Sequence, residues 1–179
     1  MRRSKFILFI AFISLNFVSC EDGFDCLKPT GKIITEDRAL PFFDKMNITG
    51  NVNVQIEYGA SNLCKVRAGE NLIDDIQTEA IDGTLYIDNQ NGCNWVRSFK
   101  NEYVVQITLD TLKRIDYSGV GDIDFVNDFE VDSLRIEVYD GWGDINLKYK
   151  GEYLRLIHNI GGVQFQASGS ADDLYTYMA

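Results

Sequence analysis

The C-terminal half of the chain repeats itself at a period near twenty residues, and so short a repeat leaves few folds open to it. Leu112, Leu134, Leu154 and Leu174 follow one another at spacings of 22, 20 and 20 residues. Between them, Gly121-Asp122-Ile123-Asp124-Phe125 recurs as Gly143-Asp144-Ile145-Asn146-Leu147, with a weaker copy at Gly161-Gly162-Val163-Gln164-Phe165. An earlier echo also exists: Phe43-Asp-Lys-Met-Asn-Ile-Thr-Gly50 parallels Leu112-Lys-Arg-Ile-Asp-Tyr-Ser-Gly119. A unit of this length holds a few short strands and cannot bury its apolar side alone, so it must stack on its neighbours. The expected fold is therefore all-β, a parallel β-solenoid-like domain with like residues stacked rung on rung. The alternative is an antiparallel β-sandwich, whose turns recur at roughly 8–12 residues. The repeated leucines and Gly-Asp turns favour the solenoid. A leucine-rich repeat is disfavoured because its Asn/Cys ladder position is missing.

Elsewhere the hydrophobic period is two. Val52, Val54, Ile56 and Tyr58 alternate with Asn51, Asn53, Gln55 and Glu57, the pattern of a half-buried strand. The runs 76–81 and 84–88 flank Asp82-Gly83, a pair able to supply the positive φ of a hairpin turn. Residues 104–109 form another β-prone run, and the only helix candidate is about one turn near 71–75.

The N-terminus reads differently. Arg2, Arg3 and Lys5 precede a mostly apolar stretch from Phe6 to Val18, which closes with Ser19-Cys20. That stretch is shorter than the roughly 20 residues a spanning helix needs, and its flanks are those of a secretory signal. A small residue followed by cysteine at this point resembles the bacterial lipobox, in which Cys20 would be lipidated and become the mature N-terminus. Acyl chains contribute about 0.8 kcal/mol per buried CH₂, enough for a stable anchor. Residues 1–19 are thus expected to be a signal peptide, 20–31 a lipid-anchored acidic tether, and 32–179 the domain. Glu21-Asp22 resembles the acid-rich surface-export signals of Bacteroidetes lipoproteins, which implies an outer-membrane, outward-facing anchor. Loss of residues 1–19 leaves 14 basic residues against 27 acidic ones, a charge of −13. Such a surface repels nucleic acid and anionic lipid. Aromatic content of 12% and only two prolines argue for a packed core.

Cys26, Cys64 and Cys93 remain after lipidation, in an oxidising compartment where one disulfide and one free thiol is the simplest arithmetic. Cys64 alternates with Val66 and Ala68 like a small buried hydrophobe. Cys26 and Cys93 lie among polar and glycine residues, which favours the Cys26–Cys93 pair over one that uses Cys64. Three scattered cysteines and one histidine show no zinc-ligand spacing.

Several stretches together resemble one family, the head GIN domain lipoproteins of Bacteroidetes, described as auto-transporter adhesins. They are Asp25-Cys26, the run from Phe43 to Ile56, Gly69-Glu-Asn-Leu72, Asp82-Gly-Thr-Leu85, Cys93-Asn94-Trp-Val-Arg97 and the Gly-Asp-Ile rungs. The resemblance implies a right-handed β-solenoid and an envelope location. It also supports the Cys26–Cys93 pairing and makes Cys64 dispensable. Family members continue for several more rungs, so the stop at Ala179 reads as a C-terminal shortening. The last segment, Leu174 to Met178, is then expected to pair along residues 154–158 and leave an open edge suited to self-association.

Candidate chemistry is sparse. His158, the only histidine, continues the alternation of Leu154 and Leu156 and reads as an inward or rim residue. If the rungs stack, Asp122 and Asp144 lie about 4.8 Å apart on one face. They are weak candidates for a Ca²⁺ site, or for the acid and base of a carbohydrate-active enzyme. The simpler reading is that Asp beside Gly caps a turn through its own backbone. Tyr117, Trp142, Tyr149 and Tyr153 are candidates for an exposed aromatic strip, with core packing an equal explanation. Asp110-Thr111-Leu112 and Asp132-Ser133-Leu134 resemble a Bacteroidetes O-glycosylation sequon, making Thr111 and Ser133 candidate sugar acceptors. No catalytic residue and no cofactor is expected. The function read from the sequence is a non-enzymatic envelope lipoprotein presenting a solenoid for binding, adhesion or structural duty, toward a glycan or protein ligand. The alternative is an enzyme using the Asp122/Asp144 face.

Overall fold

The computed structural model describes residues 29–92 and 103–179. Cys20, Cys26 and Cys93, and with them the anchor and the expected disulfide, lie outside the described residues. Thirteen strands form one continuous sheet. They are β1 (Ile33–Arg38), β2 (Lys45–Gly50), β3 (Asn53–Tyr58), β4 (Leu63–Gly69), β5 (Ile76–Ile81), β6 (Thr84–Asn89) and β7 (Val104–Leu109), followed by β8 (Arg114–Gly119), β9 (Ile123–Phe125), β10 (Phe129–Glu130), β11 (Ser133–Val138), β12 (Asp144–His158) and β13 (Gln164–Met178). A 3₁₀ turn, Ile73–Asp75, stands where the one helix candidate was expected.

The repeat becomes rungs. Each rung supplies one strand to each of two faces, and successive rungs pair in parallel. On the first face β6, β2, β8, β11 and the second half of β12 lie side by side; on the second, β7, β3, β9 and the first half of β12. β12 turns the corner between the faces, and β13 follows it in register from Asp144↔Gln164 to His158↔Met178. Inward residues of both faces merge into one core. The row Leu85, Met46, Ile115, Ile136, Leu156 runs through the first face, and Val105, Val54, Ile123, Ile145 through the second. All are buried, each contributing about 1.5–3 kcal/mol. The solenoid expectation holds, and so do the Phe43/Leu112 echo, seen as Gly50↔Gly119, and the pairing of Leu134 with Leu154 and Leu174.

The rungs are not identical in length. β8 pairs with β11 at an offset of 21, Ile115↔Ile136, whereas β9 pairs with β12 at 22, Ile123↔Ile145. The turn before Asp144 absorbs the extra residue, and the 21-residue offset of β8 to β11 leaves Leu112, 22 residues before Leu134, one position out of the leucine ladder while it stays buried. β10 pairs with β12 at an offset of 20, Phe129↔Tyr149, so two residues of Val126-Asn127-Asp128 bulge out. Asn127 secures that bulge: its side-chain oxygen accepts the Tyr58 N–H at 2.8 Å, and its amide donates to the Tyr58 carbonyl at 3.0 Å.

Antiparallel strands close one end. β1 and β4 extend the second face and β5 extends the first. The β5–β6 hairpin turns through Asp82 (φ 49°) and Gly83 (φ 77°), the positive dihedrals a two-residue connection demands. Arg38 laces this end together, donating to the Ile73 carbonyl at 2.9 Å, the Thr78 hydroxyl at 3.0 Å and the Ile76 carbonyl. At the opposite end β13 is the outermost strand, and its inward residues Leu174 and Met178 are 62% and 53% exposed.

Candidate functional site

The Gly-Asp turns stack as expected, and their carboxylates are used there. Asn53 Oδ1 accepts the Asp122 N–H at 2.9 Å, and Asp122 Oδ1 accepts the Asp144 N–H at 2.8 Å. One position on, Asn146 donates to Asp124 Oδ1 at 2.7 Å. Each rung's side chain thus satisfies a backbone amide of the next, a role that suits a short acceptor beside a turn. Gly143 is required in this stack: it sits at φ 130°, and a Cβ there would run into the Gly121 carbonyl. Among the described residues no group of three or more His, Cys, Asp or Glu side chains is placed to share a metal ion.

Of the four aromatic residues that could form a strip or pack in the core, two do each. Tyr117 and Tyr149 point inward and are buried. The Tyr117 hydroxyl donates to the Gly121 carbonyl at 2.5 Å and also meets the Trp142 carbonyl at 2.9 Å. Its ring lies between Gly119 and Gly141, so close that an added Cβ on either would stand 2.7 Å from it. Tyr149 reaches the carbonyls of Tyr153, at 2.9 Å, and Asp132, at 3.1 Å. Both phenols titrate above their ordinary range because burial disfavours the phenolate, and Asp122 adds to the rise at Tyr117. Both tyrosines have a glycine two residues on, Gly119 and Gly151, a feature that the exposed Tyr139 shares through Gly141. Trp142 and Tyr153 are exposed, as expected.

Cys64 is buried in the core, and burial pushes its thiol up to about 11 against the lowering influence of Arg38 and Thr78. Such a thiol is inert. His158 is half-buried at the open end, edge-on to Phe165 with ring centroids 6.5 Å apart. Thr111 and Ser133 line one shallow groove together with Leu112, Lys113, Val131 and Asp132. Ser133 is exposed there and Thr111 half-buried.

The sequence reading missed the outer surface of the first face. Arg114-Ile-Asp116 and Arg135-Ile-Glu137 repeat in register, Arg114↔Arg135 and Asp116↔Glu137. Arg114 Nε sits 2.8 Å from both Asp116 oxygens, and its Nη2 reaches Glu137 at 3.4 Å and the Tyr139 hydroxyl at 2.9 Å. Arg135 pairs with Glu137, which also accepts from Asn159 at 3.4 Å. Burial alone would raise the Glu137 pKa, but hydrogen bonds from Arg135, Tyr139 and Asn159 outweigh it and hold the carboxyl below its usual range. This surface is broad and open, with a side-chain network as its relief.

A family model described as "Putative auto-transporter adhesin, head GIN domain" matches residues 42–179. The chain belongs to the head GIN domain family. The matched region contains twelve of the thirteen strands; only β1 lies outside it. Among solved structures, a "putative adhesin" from Bacteroides fragilis superposes on the head GIN domain with a TM-score of 0.57 at 18% identity, covering 84% of this chain and 94% of that one. A structure described as a "putative lipid binding protein" from Parabacteroides distasonis gives a TM-score of 0.64 at 21% identity. The match there takes in 82% of this chain but only 62% of the other. At such identities the likeness is one of fold. No curated protein matches the chain.

Proposed function

We propose that this protein is a cell-envelope lipoprotein that displays its head GIN solenoid as a non-catalytic binding surface. Cys20 would anchor it in the outer membrane, residues 20–31 would serve as tether, and residues 32–179 as the domain that meets a ligand. Membership of a family described as adhesins supports a binding role at the envelope. The observation that carries the non-catalytic reading is the Asp122–Asp144 contact. An acid–base pair needs two carboxylates converging on a substrate, whereas Asp122 spends an oxygen on the Asp144 amide. That use of Asp122 supports a turn-capping role for the pair over the acid–base role of the carbohydrate-active alternative. The free edge of β13, with Leu174, Tyr177 and Met178 exposed, supports self-association as a second duty.

The test of the anchor is Cys20→Ala in the native host. Lipid labelling should vanish and the protein should leave the detergent phase; unchanged partitioning of the variant would sink the proposal. Protease shaving of intact cells tests the outward orientation, which requires the wild-type domain to be cleaved. Self-association requires the intact chain to sediment above its monomer mass at micromolar concentration.

A further inference from the structure

On the outer surface of the first face, residues two apart along a strand form rows that run across the rungs. One row reads Lys45, Arg114, Arg135, Arg155 and Tyr175. The next reads Asn47, Asp116, Glu137, Ile157 and Tyr177. In the two middle rungs each arginine has its acid two residues on. At the third the pattern breaks: Ile157 occupies the acid's place, and it is buried under its neighbours at 6% exposure. Arg155 therefore carries a guanidinium that no ion pair neutralises among the described residues. It lies 4.6 Å from the centroid of the Tyr175 ring. Its Nε is out of contact with water and has no hydrogen-bond acceptor.

Nε is thus closed to an incoming acceptor, and the two terminal groups, Nη1 and Nη2, are the donors that the guanidinium still offers. The acceptor that fits is anionic and planar, since a guanidinium fork binds a carboxylate through two parallel hydrogen bonds. The surroundings specify the rest of the ligand. Tyr153, Tyr175 and Tyr177 stand on the same outer side of the strands as Arg155 and are 41%, 44% and 50% exposed. Such rings offer apolar faces with a polar rim, suited to the C–H face of a pyranose. A peptide is the poorer occupant. Peptides join sheets at an edge, through backbone hydrogen bonds; β12, which carries Arg155, is paired on both sides, with β11 and β13, so the free backbone edge lies one strand away from the guanidinium. From these observations we infer that Arg155, with Tyr153, Tyr175 and Tyr177, forms a subsite for a carboxylate-bearing sugar of an acidic polysaccharide. The inference rests on the domain being a non-catalytic binding module and names the ligand class of its outer face. The chain's net charge of −10 repels polyanions in general, so the contact is confined to this stripe and weakens with salt.

The experiment uses the full-length chain in detergent, captured on a sensor, with polygalacturonate as probe and dextran and polyglutamate as comparisons. Polygalacturonate should bind, dextran should not, and polyglutamate should bind far more weakly. Arg155→Gln should weaken polygalacturonate binding at least about tenfold with an unchanged melting temperature, because charge-assisted pairs of this type are strong. Arg155→Lys, which keeps the charge and loses the fork, should recover only part of it. Lys65→Gln on the second face should change nothing. Equal binding of dextran or polyglutamate overturns the subsite while leaving a binding module in place. So does an Arg155→Gln variant that binds polygalacturonate like wild type. Release of new reducing ends from the polygalacturonate overturns the module itself.

Discussion

Leu134, Leu154 and Leu174 occupy one inward ladder at three depths, so a single substitution repeated along it measures how the rungs are covered. Leu134 lies between rungs at 1% exposure, Leu154 is 5% exposed and Leu174, on the last strand, is 62% exposed. Leu→Ala removes three carbons, worth about 2.4 kcal/mol at roughly 0.8 kcal/mol each when fully buried. The unrelaxed cavity brings Leu134→Ala to about 3–4 kcal/mol, within the range for buried leucines. Leu154→Ala should fall slightly below it. Leu174 keeps well under half of its surface buried and leaves no enclosed cavity, so Leu174→Ala should cost about 1 kcal/mol or less. Urea unfolding read by tryptophan fluorescence and circular dichroism gives the three values, and the m-value checks that the transition stays comparable. In melting temperature the spread should be about 10 °C against about 3 °C. A Leu174→Ala loss equal to that of Leu134→Ala would mean that something covers the last rung. A loss below 1 kcal/mol at Leu134 would refute the stacked ladder altogether.

Other consequences are as specific. Non-reducing peptide mapping should recover Cys26 joined to Cys93, a bond worth about 4.4 kcal/mol on the chain-entropy estimate, with Cys64 alkylated only after unfolding; a bridged Cys64 would contradict its buried place in the core. Glu137 titrates below the ordinary carboxyl value of 4.5 in the folded protein. Its contribution is therefore present above the unfolded value and lost as pH falls through the lower, folded one. Wild type should lose stability below about pH 4.5, while Glu137→Gln starts lower at neutral pH by roughly 1–3 kcal/mol and falls less on acidification. Parallel pH curves for the two would show that the arginine network does not hold this carboxylate. Intact-mass analysis of protein from the native host should show hexose additions that Ser133→Ala and Thr111→Ala each reduce, since both hydroxyls line one open groove; an unmodified mass ends that proposal.

What the sequence made legible is what period and turn chemistry encode. The twenty-residue repeat gave the rungs, Asp82-Gly83 the hairpin, and strict alternation the inward face of β3. The hydrophobic setting of Cys64 gave its burial. The register was harder, because rung length varies by a residue or two and the slack is taken up locally, before Asp144 and at Val126–Asp128. Only pairing across rungs reveals where. Whether Tyr117 and Tyr149 face the core or solvent stayed open in the sequence for a related reason: their hydroxyls find turn carbonyls within their own rung and its neighbour, and periodicity carries no trace of those acceptors. The antiparallel pairing of β1 with β4 and of β4 with β7 answers a demand of the whole molecule, that one end of the stack be closed, which no local pattern records. The arginine ladder was legible, as Arg-apolar-acid at the repeat spacing, but only to a reader comparing outward positions rather than inward ones.

A non-catalytic binding surface holds its ligand without altering it. The most direct measurement incubates the intact protein with immobilised acidic polysaccharide and follows, in one vessel, protein retained and reducing ends released. Retention with no new reducing ends over hours at neutral pH is the predicted result. Release of reducing ends that disappears in an Asp122→Asn variant would contradict it and assign Asp122 and Asp144 an acid–base role.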